Sequence, residues 1–235
     1  MPQLFNTPLW FNGLDLIFAS VVFIISLLIA AYSWRVYNIT REKRFSYFSL
    51  AFILISLSLL VQVITSSAVY FEDVRVAADT ILRPAIGADR EYSTLFYHAG
   101  FFLEMASLLG GLLLIYLISQ KARERLKKFD ELTQMALFVY LILLISFVAS
   151  FKYVVFYLTG AVLLGLIVLN YYRAYLTTEK RNTYLVMSAF LMLFMSYISF
   201  ILIVFLPEFY IIGQLFQLLG FMVLLYTYNK ITRRN

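Results

Sequence analysis

The sequence predicts an all-α, polytopic membrane protein: a seven-transmembrane-helix bundle with the N-terminus outside the cell and the C-terminus in the cytoplasm. Three observations lead to this prediction. Hydrophobic residues make up 63% of the 235 residues and charged residues only 14%, whereas about a quarter of an average soluble domain is charged. Seven stretches are long and apolar enough to cross a bilayer. The segments that join them alternate between many and few basic residues.

The seven predicted spans are apolar runs bounded by charges or turn residues. Crossing the hydrocarbon core takes about 20 helical residues, and a helix satisfies its backbone hydrogen bonds internally, as lipid requires. Glycines occur only in the third, fifth and seventh spans, which predicts that these three pack most closely. Within one domain covering 1–235, the predicted spans are 14–37, 45–70, 95–119, 131–151, 153–175, 183–206 and 209–229, with an outer loop at 71–94.

The basic residues predict the orientation. The segments after the first, third, fifth and seventh spans contain 15 of the 19 lysines and arginines, and basic loops remain in the cytoplasm. We therefore expect a multi-pass protein of the cell membrane, with the lipid bilayer as its main partner. The basic face predicts contact with anionic lipid headgroups, and no feature points to nucleic acid. Tyrosines near the outer span ends, such as Tyr153 and Tyr210, are typical of an aromatic belt.

The composition also excludes several chemistries. The chain has no cysteine and a single histidine, which excludes disulfides, thiolate nucleophiles and centres with several histidine ligands. No nucleophile motif, metal-binding set or pair of intramembrane carboxylates is visible. The sequence therefore predicts a protein that is not an enzyme, with no catalytic residues, no metal site and no cofactor.

Two short matches indicate an internal repeat. Glu-Lys-Arg at 42–44 recurs at 179–181, and Leu-Leu-Gly at 108–110 recurs at 218–220. They predict that the first three spans resemble the last three, with the fourth as an unpaired linker. An odd linker keeps both sets in the same direction, so the predicted repeat is a parallel 3+1+3 repeat.

This layout resembles microbial rhodopsins and SWEET-type sugar carriers, and the chain is also similar to small archaeal seven-helix membrane proteins. The resemblance is one of architecture and implies a receptor or a transporter. Rhodopsins need a lysine inside the last span, but here Lys230 lies beyond it, so the retinal lysine is missing. SWEET-type carriers hinge on prolines within their helices, whereas all four prolines lie outside the predicted spans: Pro2, Pro8, Pro84 and Pro207.

The polar residues inside the spans predict a candidate site. Glu104 is an acid about ten residues into the third span, and intramembrane acids are costly and often functional. Polar side chains facing lipid are costly too, so those at similar depth should converge with Glu104 in the outer half of the bundle. They are Gln62, Ser107, Tyr157, Tyr197, Gln214 and Gln217. The repeat pairs Glu104 with Gln214.

Two interpretations of these residues remain open. They form either an outward-facing ligand pocket or a hydrogen-bond network that fixes packing, with Glu104 bonded to Gln214 or Gln217. The predicted function is a non-enzymatic membrane protein that binds or senses a small ligand. Alternatives are a small-solute carrier and a structural subunit of a larger membrane complex with a protein partner. The polar residues stop halfway across the membrane, which argues against a proton pump or ion channel.

Overall fold

A computed structural model describes residues 11, 13–71, 74, 76, 92–121 and 153–232 of the chain. These residues form six long helices, and each contains a stretch that is long and apolar enough to cross a membrane. The chain is therefore an integral membrane protein with several spans. The helices are α1 (Leu14–Thr40), α2 (Lys43–Tyr70), α3 (Tyr92–Lys121), α4 (Tyr153–Thr178), α5 (Arg181–Leu202) and α6 (Phe209–Thr232).

The prediction of a seven-helix bundle is wrong. Six helices of the described residues qualify as spans, and the fourth predicted span, 131–151, lies outside the described residues, as does most of the predicted loop 71–94. The predicted 3+1+3 layout and rhodopsin-like topology depend on the seven-helix count and are therefore not supported either. The count of seven came from length and hydropathy alone, and about 20 apolar residues meet the length requirement for a span without showing that a segment crosses the membrane.

Apolar side chains also cover the outside of the bundle, as a bilayer requires. On α2 the exposed large side chains recur every three or four residues, which places them on one face of the helix. That face points away from the other helices, where a soluble protein would present charges. Its members are Leu50, Ile53, Leu57, Leu60 and Ile64.

The six helices close into a ring. Each packs on the next along the chain, and α6 packs back on α1. The ring of Phe101 near the start of α3 contacts Tyr153 at the start of α4, with centroids 4.4 Å apart. Phe11, just before α1, contacts Tyr210 at the start of α6 at 6.0 Å. Hence α1, α3, α4 and α6 begin at the same end of the bundle, and α2 and α5 run the other way.

The two ends differ in composition. We call the end where α1, α3, α4 and α6 begin the tyrosine end, after Tyr70, Tyr153 and Tyr210. The opposite end is the basic end, because every lysine and arginine in the described ranges lies there. These residues are Arg35, Arg41, Lys43, Arg44, Lys121, Arg173, Lys180, Arg181 and Lys230.

The turns that lead from α1 to α2 and from α4 to α5 have the same geometry. Arg41 and Glu179 adopt left-handed backbone conformations, with φ of 55° and 51°, which is uncommon outside glycine. Each ends its helix by donating its N–H to a carbonyl four residues earlier, Tyr37 or Tyr175, at 2.7 Å in both cases. The next helix begins two residues later in both turns. Arg41 and Glu179, 138 positions apart, are therefore equivalent.

Burial extends this equivalence to two sets of three helices, α1–α3 and α4–α6. If each helix is replaced by the helix three places later in the ring, the order and the directions of the six helices stay the same. Positions 138 residues apart match between α1–α2 and α4–α5, and positions 109 apart match between α3 and α6. Pairs buried in both sets include Val22 and Gly160, Ile29 and Ile167, Ala51 and Ala189, Phe52 and Phe190, Ile55 and Leu193, Leu59 and Tyr197, Gly111 and Gly220, Leu112 and Phe221, and Ile115 and Leu224.

The equivalence shifts the register expected from the sequence by one residue. Matching Gly110 with Gly220 would pair the fully buried Leu109 with Leu219, which is 46% exposed. Matching Gly111 with Gly220 instead pairs buried positions with buried ones at Met105 and Gln214, Leu112 and Phe221, and Ile115 and Leu224. The Glu-Lys-Arg match at 42–44 is displaced in the same way. Packing does not constrain which residues stand at exposed positions. Matching identical residues at such positions therefore gave the wrong register.

The span glycines pack on the middle helix of each set rather than on one another, which corrects the predicted glycine contacts. A Cβ added to Gly111 would lie 2.8 Å from the carbonyl oxygen of Ala51 on α2. A Cβ on Gly220 would lie 3.1 Å from the carbonyl oxygen of Ala189 on α5. The glycine contacts on α2 come from α3, whereas those on α5 come from both α4 and α6. The other glycines that face these two helices are Gly100, Gly110, Gly160, Gly165 and Gly213.

Candidate functional site

Glu104 is a buried acid in the third helix. Its side chain lies on α3 in the tyrosine half of the bundle, and only 7% of the residue is exposed. Among the described residues, none donates a hydrogen bond to its carboxyl or forms an ion pair with it. A polar group buried without a partner costs roughly 1–3 kcal/mol, and a charged one costs more. Folding alone therefore does not favour an acid at this position.

Four tyrosines share the tyrosine half of the bundle with this carboxyl. Tyr153 and Tyr157 come from α4, Tyr197 from α5 and Tyr210 from α6. We call Glu104 and these four tyrosines the Glu104 cluster. The sequence predicted Tyr157 and Tyr197 as site residues but assigned Tyr153 and Tyr210 to the aromatic belt. Their positions near span ends concealed the fact that they point inward.

The rings on α4, α5 and α6 form a continuous wall. Tyr157 contacts Tyr197 edge-to-face, with centroids 5.7 Å apart, and Phe200 at 4.9 Å. Phe200 in turn contacts Tyr210 at 5.7 Å. Such pairs each contribute about 0.5–1.5 kcal/mol beyond the area they bury. The wall therefore holds the tyrosine rings in fixed positions against one another.

A second buried acid, Asp15, lies nearby and is fully hydrogen bonded. Its Oδ1 accepts the backbone N–H groups of Gly13 and Leu16 at 3.0 and 2.9 Å, and its Oδ2 accepts the Tyr70 hydroxyl at 2.8 Å. These bonds begin α1 and fasten it to the end of α2. The sequence did not identify Asp15 as a site residue because it stands at the edge of the first span. Tyr210 lies within electrostatic range of both buried acids.

The glutamines do not contact Glu104 as the sequence predicted. Gln214 is buried and donates its amide to the Tyr210 hydroxyl at 3.2 Å. Gln217 is half-buried and lines a cavity. No hydrogen bond joins Glu104 to either glutamine among the described residues. Of the other predicted residues, Gln62 is half-buried on α2 and Ser107 is buried on α3.

A cavity of about 20 Å³ lies in the middle of the ring. That volume holds about one water molecule. Tyr197 and Gln217 supply its polar side chains, and Tyr197 also belongs to the Glu104 cluster. The remaining lining is apolar and consists largely of equivalent residues from the two sets: Phe52 and Phe190, Ile55 and Leu193, Leu112 and Phe221, with Leu108, Ile115 and Leu164.

Aromatic stacks lie between this cavity and the basic end. Tyr171 of α4 stacks on Phe190 of α5, with centroids 5.5 Å apart and an interplanar angle of 11°. Phe48 of α2 stacks on Tyr228 of α6 at 5.0 Å. Asn170 of α4 donates its side-chain amide N–H to the Ser119 hydroxyl of α3 at 3.0 Å. This hydrogen bond joins α4 to α3. Among the described residues, packed aromatic side chains therefore occupy the basic half of the bundle.

The two equivalent sets of helices differ at the candidate site. Every polar residue predicted there corresponds to an apolar residue in the other set. The bundle therefore packs at these positions without polar side chains, so packing alone does not require them. The pairs are Glu104 and Gly213, Ser107 and Phe216, Gln214 and Met105, Gln217 and Leu108, Tyr157 and Ala19, Tyr197 and Leu59, and Gln62 and Phe200.

Neither metal ligands nor known relatives identify the site. The described residues contain no group of three or more histidine, cysteine, aspartate or glutamate side chains that could hold a metal ion. Comparison of the chain with protein families, characterised proteins and solved structures finds no match. The function must therefore be argued from the geometry of the site itself.

Proposed function

We propose that the chain is a non-enzymatic membrane protein that binds and senses a small ligand at the Glu104 cluster. The observation that supports this proposal is the unpaired carboxyl of Glu104, which stands where the equivalent position carries Gly213. A buried, unpaired acid destabilises the fold. The acid is present in only one of the two sets of helices, which is expected if a ligand supplies its missing partner.

The proposed orientation places this cluster toward the outside of the cell. All described lysines and arginines lie at the basic end, and positively charged ends of membrane proteins face the cytoplasm. The basic end is therefore proposed to be cytoplasmic, with the N-terminus outside and the C-terminus inside the cell membrane. Side chains such as Arg41 and Lys180 are exposed there and are available to anionic lipid headgroups.

Binding without transport is favoured by the closed basic half. A carrier or channel needs a polar path across the whole membrane. Here the stacks of Tyr171 on Phe190 and of Phe48 on Tyr228 fill the space beyond the cavity. The polar groups around Glu104 are confined to the tyrosine half. A site reached from one side is the arrangement of a receptor.

Thermal unfolding of purified protein in detergent tests the proposal. The parent is melted with a panel of small cationic, neutral and anionic solutes, together with Glu104→Leu and Asn170→Leu. A solute at 100 times its Kd stabilises the folded state by about 2.7 kcal/mol. We expect one solute class to raise the midpoint of the parent and of Asn170→Leu, the control for general destabilisation, but not of Glu104→Leu.

Two results would contradict the proposal. One is the absence of any solute effect on the parent. The other is a Glu104→Leu protein that keeps the full response, because the ligand would then bind elsewhere. Glu104→Leu should itself fold at least as well as the parent, since it removes an unpaired buried acid. A strongly destabilised Glu104→Leu would instead favour the packing-network interpretation.

Single cysteines test the orientation, since the chain has none of its own. Thr40 is exposed at the basic end and Glu208 is exposed at the tyrosine end. In intact cells an impermeant thiol reagent should label a cysteine at position 208. It should reach one at position 40 only after the membrane is opened. Labelling of position 40 from outside would reverse the proposed orientation.

A further inference from the structure

We infer that the two sets of helices, α1–α3 and α4–α6, are rigid bodies and that the protein changes conformation by tilting one set against the other. The first argument is where the helices approach each other most closely. All glycines within the described helices face a helix of their own set. A Cβ on Gly100 of α3 would lie 2.9 Å from Thr65 Oγ1 on α2. Helices at this distance cannot slide past each other without steric overlap.

Buried hydrogen bonds fix the other side of α2. The Ser26 hydroxyl of α1 donates to the carbonyl oxygen of Phe52 on α2 at 3.1 Å. The Ser49 hydroxyl of α2 donates to the carbonyl oxygen of Ala30 on α1 at 2.9 Å. Both acceptors belong to the backbone, and breaking either bond would leave buried polar groups unpaired. In the first set, α2 is therefore fixed to α1 by hydrogen bonds and to α3 by glycine contacts.

In the second set, glycines hold α5 from both sides. Gly160 of α4 lies against the ring of Tyr197 on α5. A Cβ on Gly220 of α6 would lie 2.8 Å from Leu193 Cδ2 on α5. The middle helix of each set is thus fixed to both of its neighbours, which makes each set a rigid body.

The boundary between the sets is built differently. Among the described helices, α3 and α4, and α6 and α1, pack on each other less extensively than neighbours within a set do. At the tyrosine end, Phe101 of α3 contacts Tyr153 of α4 through their rings, 4.4 Å apart. Aromatic pairs are attractive over a range of offsets and angles, so they permit displacement. Near the basic end, the directional hydrogen bond of Asn170 to Ser119 fixes the distance between α4 and α3. The sets can therefore tilt about this bond and separate at the tyrosine end.

The cavity of about 20 Å³ also lies on this boundary, because both sets line it. Ile55 and Leu108 belong to the first set, and Leu164 and Phe190 belong to the second. Protein interiors are otherwise close-packed, and atoms beside a void lose dispersion contacts. The two sets therefore meet less completely here, which lowers the free energy needed to separate them.

Distances between pairs of spin labels test the inference in the full chain in lipid nanodiscs, since the chain has no cysteine of its own. Phe71→Cys and Glu208→Cys place labels at the tyrosine end in different sets, whereas Val154→Cys and Glu208→Cys place them at that end within one set. All three side chains are exposed. We expect a second, longer distance for the first pair and a single distance for the second pair.

Two variants weaken the boundary. Phe221→Leu removes a ring that contacts Phe52 across it at 6.3 Å, and the equivalent position already carries a leucine, Leu112. Phe101→Leu acts at the tyrosine end and keeps the test decisive if Phe221→Leu folds poorly. Each should raise the ratio of the longer to the shorter distance roughly fivefold. Ser49→Ala, which breaks a hydrogen bond within the first set, should leave that ratio unchanged.

Three results would overturn the inference. One is a single distance for the pair across the boundary that neither variant changes. Another is a within-set pair whose distances change as much, because the helices would then move individually. The third is a Ser49→Ala protein that shifts the ratio as the boundary variants do. Because no ligand enters the experiment, the inference stands or fails independently of the proposed function.

Discussion

Adjacent glycines on α3 provide a sharp test of the packing and of its register. A Cβ on Gly111 would lie 2.7 Å from Ile55 Cγ1 and 2.8 Å from the carbonyl oxygen of Ala51. The carbonyl belongs to the α2 backbone and cannot rotate away, so alanine at 111 forces the two helices apart. A Cβ on Gly110 would meet only Leu54 Cδ1, at 3.8 Å, which is ordinary van der Waals contact.

The magnitude follows from two opposing effects. Overpacking a tight contact costs about 1–3 kcal/mol, and replacing a helical glycine by alanine gains about 1 kcal/mol. The gain is common to both positions and cancels in their difference. Gly110→Ala should therefore be more stable than Gly111→Ala by about 1–3 kcal/mol. The measurement is the fraction folded against the mole fraction of SDS in mixed micelles.

The same experiment tests which positions are equivalent. The structure pairs Gly220 with Gly111, and a Cβ on Gly220 would lie 2.8 Å from Leu193 Cδ2 and 3.1 Å from the Ala189 carbonyl oxygen. Gly220→Ala should therefore lose stability as Gly111→Ala does. If Gly220→Ala instead behaves like Gly110→Ala, or if both α3 variants are equally stable, the register and the argument from close contacts are refuted.

Two further predictions concern hydrogen bonds between helices. Tyr70→Phe removes the hydroxyl that Asp15 accepts at 2.8 Å and should cost about 1.5–3 kcal/mol in the same assay, as for a bond to a charged group; an unchanged midpoint would count against that bond. Ser119→Ala and Asn170→Ala each break the 3.0 Å bond between α3 and α4 and should each cost about 0.5–1.5 kcal/mol. The double variant should lose less than the sum of the two, whereas strict additivity would mean that the groups do not interact.

The positions of the six described spans were predictable from sequence because membrane helices depend on length and hydropathy, which the sequence records directly. The register that relates the two sets of helices was not predictable, because the identical residues that stand out in the sequence lie at exposed positions. Leu219 faces outward, so its match with Leu109 has no packing consequence. The buried pattern that sets the register becomes visible only when the neighbours of each helix are known.

The candidate site was predictable only in part. Glu104 stood out because acids are costly within a span, and Tyr157 and Tyr197 were found from their depth. Tyr153 and Tyr210 were assigned to the membrane interface because a sequence does not record whether a ring near a span end points outward or inward. Glutamine partners were one expectation for Glu104 because hydrogen-bonding capacity was visible, whereas the bond that Gln214 makes to Tyr210 instead was not.

The acid and the tyrosines of the Glu104 cluster belong to different sets of helices. The acid belongs to α3 in the first set, whereas the four tyrosines come from α4, α5 and α6 in the second. Helices of different sets pack less extensively on each other than neighbours within a set do. Under the proposed function, a ligand that contacts both the acid and the rings adds interactions between the sets where the protein makes fewest. A ligand can shift a conformational equilibrium only through such differential contacts. The boundary between the sets is therefore where binding would alter the arrangement of the helices.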